Sequence, residues 1–63
     1  MKVEFVDGKY QTNLGTREIS CVPPVGATVV LTFPTLGSVY FKVTKAVWEF
    51  GVGEIVRLTV EME

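Results

Sequence analysis

The side chains that most often carry catalysis are scarce in this sequence. It contains no histidine, and Cys21 is its only cysteine. Zinc sites need several Cys or His ligands, and Ser or Cys nucleophiles need a base that is most often an imidazole, so both kinds of site are excluded. Glu49 and Glu54 flank a glycine hairpin and remain candidates for general acid–base work, but charges at a hairpin commonly keep a sheet edge soluble. We predict no catalytic residue, no metal ligand, no cofactor and no enzymatic activity.

One group of candidate ligand-binding residues combines an aromatic ring with cations. Tyr40 and Lys42 lie two positions apart in a predicted strand and share a face, and Arg57 is expected nearby on the next strand. A ring with two cations suits an adenine or a phosphate-bearing ligand. The alternative is a mixed cross-strand cluster that only stabilises the sheet.

The polar segment 9–17 is the second candidate for ligand binding. It mixes Tyr10 and Arg17 with amide and hydroxyl side chains and a glycine. Loops of this composition recognise ligands and partners, with the tyrosine stacking and the guanidinium holding a phosphate or a carboxylate. A plain polar connection between two strands has the same composition and is the alternative.

Apolar and polar residues alternate along most of the chain, with β-branched residues at many apolar positions, and this pattern predicts β-strands. The predicted strands cover residues 2–6, 19–22, 28–33, 39–50 and 56–62. Turns are predicted at residues 7–8, 34–37 and 51–53, each of which contains glycine. A further turn signal at residues 13–15 lies within the irregular segment 9–18.

The inward-facing positions change phase within the long fourth strand. Phe41 and Val43 point inward before the change, and Ala46 and Trp48 point inward after it. A shift of one residue is what a β-bulge produces, so we predict a bulge at Thr44-Lys45. Trp48 then belongs to the core, because an indole buries a large area; the alternative is a stacking platform for a base.

A bulge of this kind bends a short sheet into a small barrel. With 63 residues the chain makes one domain, and we predict a five-stranded SH3-like open barrel over residues 1–63. An OB-like barrel is disfavoured, because it needs more residues and usually a helix. The predicted centre of the barrel contains Val29, Leu31, Phe41, Val43, Trp48, Leu58 and Val60.

Apolar residues make up 48% of the chain, which is more than so small a barrel encloses. Contacts with a partner or with a second copy are the usual way to cover such surface. Val30, Val47 and Ile55 point outward on neighbouring predicted strands, and we expect them to form a contact patch in a homo-oligomer. Solvent exposure of scattered side chains is the alternative.

Charge and hydropathy limit the partners and the location of the protein. Six Lys and Arg residues are balanced by seven Asp and Glu residues, so binding of duplex nucleic acid is not expected. No stretch approaches the ~20 apolar residues that cross a bilayer, and the N-terminus has no secretory signal pattern. The lone cysteine forms no internal disulfide. We expect a soluble cytoplasmic protein that does not bind membranes.

Two stretches of the chain form a recurring pattern, namely Pro24-Val25-Gly26-Ala27-Thr28-Val29 and Phe41-Lys42-Val43-Thr44-Lys45-Ala46-Val47-Trp48. The pattern resembles very small proteins encoded by bacteriophages and prophages, which read P-x-G-x-x-V, then aromatic-x-V-x-x-V-x-W, then an apolar final strand. Ala27 departs from it, because an Asp commonly follows the glycine there. Ala46 departs from it as well, because a larger apolar residue is commoner at that position.

This resemblance implies a non-catalytic phage accessory protein that acts in the host cytoplasm. Small phage proteins often act against host defence, either by sequestering a nucleotide immune signal inside a homo-oligomer or by blocking a defence protein. We expect capture of a small nucleotide-like ligand between protomers, because such a ligand needs only a few cations. Blocking of a host protein through an apolar outer face is the second interpretation, and a structural or nucleic-acid accessory role is the third.

Overall fold

The computed structural model describes residues 1–63 and consists of β-strands, turns and one longer connection. The strands are β1 (Lys2–Asp7), β2 (Asn13–Glu18), β3 (Thr28–Phe33), β4 (Gly37–Glu49) and β5 (Ile55–Met62). They form one sheet in the order β2-β1-β5-β4-β3, which curls into a half-barrel. The predicted all-β fold, a small SH3-like open barrel, is confirmed. None of the chain forms a helix of the length and hydropathy needed to cross a membrane.

The core is the inner face of this sheet and is entirely apolar. Its buried residues are Val3, Phe5, Leu31, Phe41, Val43, Val56, Leu58 and Val60. They occupy alternate positions in β1, β5 and the first half of β4, and in β3 the buried Leu31 lies between the half-buried Val29 and Phe33, as a strand with one buried face requires. Phe33 packs edge-to-face on Phe41, with ring centroids 6.4 Å apart, and extends the core along β3. The period-two prediction is confirmed for these strands.

The middle of the sheet is a parallel pair formed by the first and last strands. β1 and β5 run in the same direction, with Lys2 opposite Ile55 and Asp7 opposite Val60, whereas all other neighbouring strands are antiparallel. Just after the end of β1, Gly8 still lies beside β5, and its N–H donates to the carbonyl of Val60 at 2.9 Å. A Cβ atom at Gly8 would lie 2.9 Å from Cγ2 of Thr59, so any other residue at this position would force that side chain or the strands to shift.

The predicted bulge in β4 is confirmed. Val43 pairs with Val60 and Lys45 pairs with Thr59, which leaves Thr44 as the additional residue. The hydroxyl of Thr44 donates to the carbonyl of Thr59 at 3.2 Å and fixes the extra residue to the partner strand. This extra residue returns Ala46 to the inner face and bends the sheet.

The second strand lies where the sequence pattern predicts an irregular segment. β2 occupies Asn13–Glu18, and residues 19–22, for which the pattern predicts a strand, belong to the connection before β3. Ile19 and Val22 pack against the core but do not pair with a strand. The strand prediction for residues 19–22 is therefore wrong, because their apolar pattern reflects burial and not strand pairing. β2 is polar because it is an edge strand that pairs only with β1.

The turn predicted at residues 13–15 is a second bulge. Phe5 pairs with Gly15 and Val6 pairs with Asn13, so Leu14 is an extra residue within β2. The side-chain oxygen of Asn13 accepts a hydrogen bond from the N–H of Gly15 at 2.7 Å, and Gly15 has a φ of 125°. Asparagine and glycine therefore supply a bulge with the same local chemistry that they supply to turns.

Trp48 points toward the inner side of the sheet but is not part of the buried core. It pairs with the buried Val56, which confirms its predicted face, yet 47% of its surface is exposed. β3 pairs with β4 only as far as Lys42, so no strand covers the second half of β4. The pattern also predicts Phe50 and Met62 to face inward, and both are exposed. Phe50 follows the last paired residue of β4, and Met62 is the last residue of β5.

Candidate functional site

The structure does not bring the three residues of the first predicted ligand group together. Arg57 pairs with Val47 in the β4–β5 ladder, whereas Lys42 pairs with Glu61 further along β5. Because a strand rises ~3.3 Å per residue, Arg57 and Glu61 are about 13 Å apart along β5. Arg57 is therefore separated along the sheet from Tyr40, which lies next to Val30 of β3.

The guanidinium of Arg57 is held by two carboxylates instead. Its Nε atom lies 3.2 Å from Oε1 of Glu4, and its Nη1 atom forms an ion pair with Oε1 of Glu49. This arrangement joins β1, β4 and β5 across the outer face of the sheet. With both carboxylates engaged, Arg57 acts as a cross-strand clamp, and Glu49 is the partner of a cation rather than of Glu54.

Residues 9–17 are divided between a turn and an edge strand. Tyr10 lies in the turn after β1, with its ring exposed and Nζ of Lys9 5.2 Å from the ring centroid. Arg17 pairs with Val3 toward the other end of β1, and its guanidinium donates to the carbonyl of Thr16. The predicted stacking residue and the predicted anion-binding residue therefore lie apart.

Tyr10 borders the pocket of the molecule, an open depression of about 170 Å³. Its lining residues are Asp7, Lys9, Tyr10, Glu61 and Met62. Pockets that hold small ligands are commonly about 300–1,000 Å³ in volume, so this depression is small for a nucleotide. Its two carboxylates and single ammonium group also oppose the binding of a phosphate.

The three outward apolar residues form two separate groups. Val30 pairs with Tyr40 near the start of β4, and Val47 lies about 20 Å further along β4 at ~3.3 Å per residue. Val47 pairs with Arg57, which places Ile55 diagonally across from it on β5. The single predicted contact patch is therefore divided into Val30 with Tyr40 and Val47 with Ile55.

The most exposed apolar surface lies around the second half of β4 and the hairpin that follows it. The rings of Trp48 and Phe50 stack with centroids 6.4 Å apart and an interplanar angle of 18°, and we call this pair the aromatic rim. Val52 at the tip of the hairpin is fully exposed as well. Stacked rings in solvent form a preassembled apolar surface with little side-chain entropy left to lose.

One side of residues 44–50 has no strand partner, and we call this side the free β4 edge. The N–H of Val43 donates to Ala27 and its carbonyl accepts from Gly26, so the backbone of Val43 faces β3. Its ladder partner Val60 accepts a hydrogen bond from Gly8 on the β1 side of β5. Val43 and Val60 are therefore a pair without mutual hydrogen bonds.

The same alternation continues past the bulge and identifies the unpaired groups. Ala46 and Trp48 pair with Leu58 and Val56, which have the same parity as Val60 along β5. Their backbone N–H and C=O groups consequently point away from β5, toward the free β4 edge, where no ladder partner exists. An exposed row of unpaired backbone groups is a template for an additional strand.

No family model, curated protein or solved structure matches this chain. The candidate site is therefore defined by geometry alone. Nowhere do three side chains of the Cys, Asp or Glu type converge as a group that could hold a metal ion. The surface that stands out is the free β4 edge together with the aromatic rim.

The sequence pattern singles out Trp48 and Val47 of this surface but not Phe50 or the unpaired edge, although the strand lengths carry a signal for that edge. β3 is bounded by Gly26 and by the tight turn at residues 34–37, so it can pair with only about the first half of a strand as long as β4. A thirteen-residue strand beside a six-residue neighbour must leave an edge unpaired. The length mismatch therefore predicts a free edge beside Trp48.

Proposed function

We propose that this chain is a non-enzymatic binding protein that docks on another polypeptide through the aromatic rim and the free β4 edge. The observation that carries the proposal is the exposed stack of Trp48 and Phe50 beside unpaired backbone groups. Aromatic residues are enriched among the side chains that dominate binding energy at protein interfaces. An unpaired strand edge adds main-chain hydrogen bonds to an extended segment of a partner.

This proposal gives precedence to the protein-blocking function over ligand capture. A polypeptide partner matches both parts of the surface, because a strand satisfies the backbone groups and its side chains cover the rings. The Arg57 clamp also favours it, since that guanidinium is already neutralised by Glu4 and Glu49. The resemblance to small phage proteins is the support for a counter-defence role, in which the partner is a host defence protein, and for the host cytoplasm as its location.

Capture of a nucleotide-like ligand is the second candidate function. Tyr10 supports it, because its exposed ring borders the pocket and lies beside the ammonium group of Lys9. A nucleotide would outgrow that pocket, so capture requires a second copy to complete the site. Arg17, Tyr40 and Lys42 lie on other parts of the surface and would have to come from that second copy. A structural phage accessory role has no supporting contact among these residues.

A pull-down with paired surface variants tests the proposed function. Phe50 directly follows β4 and Leu36 lies in the turn before it, and the two are almost equally exposed, at 73% and 74%. The wild-type chain and Leu36→Ser should retain the same polypeptide from a lysate of the natural host. The amount retained by Phe50→Ser should be at least ten-fold lower. Equal retention by all three proteins contradicts docking at the rim. A nucleotide released from the denatured wild-type protein, without a retained polypeptide, supports ligand capture instead.

A further inference from the structure

We infer that the free β4 edge pairs with the same edge of a second copy, antiparallel and centred on Val47. This inference rests on the proposed function because it uses the same edge: in the free protein a second copy occupies the free β4 edge, and the other polypeptide replaces that copy when it docks. The free stretch runs from residue 44, just after the last backbone contact of β4 with Ala27, to residue 50, where the hairpin leaves the ladder. Val47 is the midpoint of that stretch. A two-fold axis at Val47 therefore pairs the whole free edge and nothing else.

The backbone groups fit this register. Antiparallel pairing about Val47 places Ala46 of one copy opposite Trp48 of the other. Both residues direct their N–H and C=O groups toward the free edge, so each such pair exchanges two hydrogen bonds. Val47 meets Val47 as the pair without hydrogen bonds, in which side chains approach most closely. If the pairing shifted by one residue, residues whose N–H and C=O groups face the partner would lie opposite residues whose N–H and C=O groups face β5. The hydrogen bonds between the copies would then be lost.

The side chains are complementary in the same register. On the outer face, Lys45 of each copy lies opposite Glu49 of the other, and the two Val47 side chains meet between these pairs. On the inner face, the indole of Trp48 lies opposite the small side chain of Ala46. Charges on an edge strand usually oppose pairing, but here the opposite charges are spaced so that self-pairing matches them. Charge complementarity and the large-to-small match identify the partner strand as a second copy of this chain.

The other two sheet edges lack this fit. β2 has a bulge at Leu14, which interrupts the regular spacing of its backbone N–H and C=O groups. Bulges of this kind commonly prevent an edge strand from pairing with another chain. β3 ends in the turn at residues 34–37 and carries no charged residue that could select a register. The self-complementary sequence is therefore confined to β4.

Charge reversal tests the register directly. Lys45→Glu places two carboxylates opposite each other at both ends of the paired edge, and Glu49→Lys places two ammonium groups there. Size-exclusion chromatography with light scattering should show a wild-type dimer and at least a ten-fold weaker dimer for each variant. An equimolar mixture of the two variants should recover a dimer, because a chain that is acidic at both positions then pairs with a chain that is basic at both.

Glu49→Lys also removes the contact of Glu49 with Arg57 within one copy, so a second kind of variant is needed that leaves this contact in place. The N–H of Ala46 faces the free edge, so Ala46→Pro removes no hydrogen bond to β5 but blocks the partner strand. We expect this variant to be folded by circular dichroism and monomeric. A wild-type monomer at millimolar concentration overturns the inference, as does a dimer that survives both Ala46→Pro and Lys45→Glu.

The two proposals fail in different ways. A monomeric wild-type chain whose polypeptide retention still depends on Phe50 overturns self-pairing and leaves the docking function intact. A dimer with the predicted charge-reversal behaviour but without retention that depends on Phe50 overturns the docking function and supports self-pairing.

Discussion

Gly8 is the position at which a single methyl group has the most direct consequence. Its N–H donates to the carbonyl of Val60, and a Cβ atom there would meet Cγ2 of Thr59 at 2.9 Å. That distance is below van der Waals contact, so the two strands must separate or the threonine must change rotamer. Gly8→Ala should lower the free energy of unfolding by about 1–3 kcal/mol. Urea denaturation followed by circular dichroism measures the change.

A second substitution distinguishes this clash from a backbone effect at Gly8. Thr59→Ser removes the Cγ2 methyl group that an alanine at position 8 would strike. Gly8→Ala combined with Thr59→Ser should therefore be more stable than the sum of the two single changes predicts. Simple additivity in this double-mutant cycle contradicts the proposed close contact.

The orientations of the candidate site residues could be predicted from the sequence, and so could one of their pairings. The outward orientation of Val47 and the inward orientation of Trp48 follow from alternation once the bulge at residue 44 is placed. The turn predicted at residues 51–53 is centred on Val52 and by itself pairs Arg57 with Val47, so the expectation that Tyr40 lies near Arg57 disagrees with that turn. The contact of Arg57 with Glu4 could not be predicted, because it depends on the parallel pairing of β1 with β5, which leaves no local pattern in the sequence.

Within β4, the bulge at Thr44 is the feature that sets which residues face inward. Deleting Thr44 restores strict alternation, so either Phe41 and Val43 or Ala46 and Trp48 must then leave the inner face. Phe41 and Val43 are buried, and their exposure would remove a large share of a small core. We expect the deletion to abolish the cooperative unfolding transition in thermal denaturation.

Thr44→Ala is the matched control for this deletion. It keeps the extra residue and removes only the hydroxyl that donates to the carbonyl of Thr59. The loss of one exposed hydrogen bond should lower the free energy of unfolding by about 0.5–1.5 kcal/mol. A deletion variant that unfolds as cooperatively as Thr44→Ala would show that the bulge does not set the orientation of β4.

The elements differ in how far sequence alone predicts them. β3, β4 and β5 have long alternating apolar runs with buried positions such as Leu31 and Leu58, and their existence and inward faces follow from that pattern. β2 has almost no apolar residues because it lies at the sheet edge and is held by backbone pairing with β1. A strand that is held mainly by main-chain hydrogen bonds leaves little trace in side-chain pattern, so the apolar pair Ile19 and Val22 is easily mistaken for it.

The open side of the half-barrel determines which apolar residues reach the solvent. β3 covers the first half of β4 and leaves the second half to the solvent, and Trp48 is there beside Phe50. The parallel pair β1–β5 holds the other side of the sheet, where Val3, Val56 and Leu58 are buried. The same chain therefore has a closed core and an unpaired apolar edge, and the second feature follows from the length of β3.

The single tryptophan of the chain reports on this open side without interference from another indole. Trp48 is half-exposed in one copy, so a dilute solution of Ala46→Pro should show emission typical of a solvated indole and efficient quenching by acrylamide. In the wild-type dimer, Trp48 lies opposite Ala46 of the second copy, so quenching should fall as the protein concentration rises. The midpoint of that change should coincide with the dimer dissociation constant from light scattering. A quencher-resistant indole in the monomeric variant would mean that the barrel closes over Trp48 within one chain, and the free β4 edge would then lose its apolar neighbour.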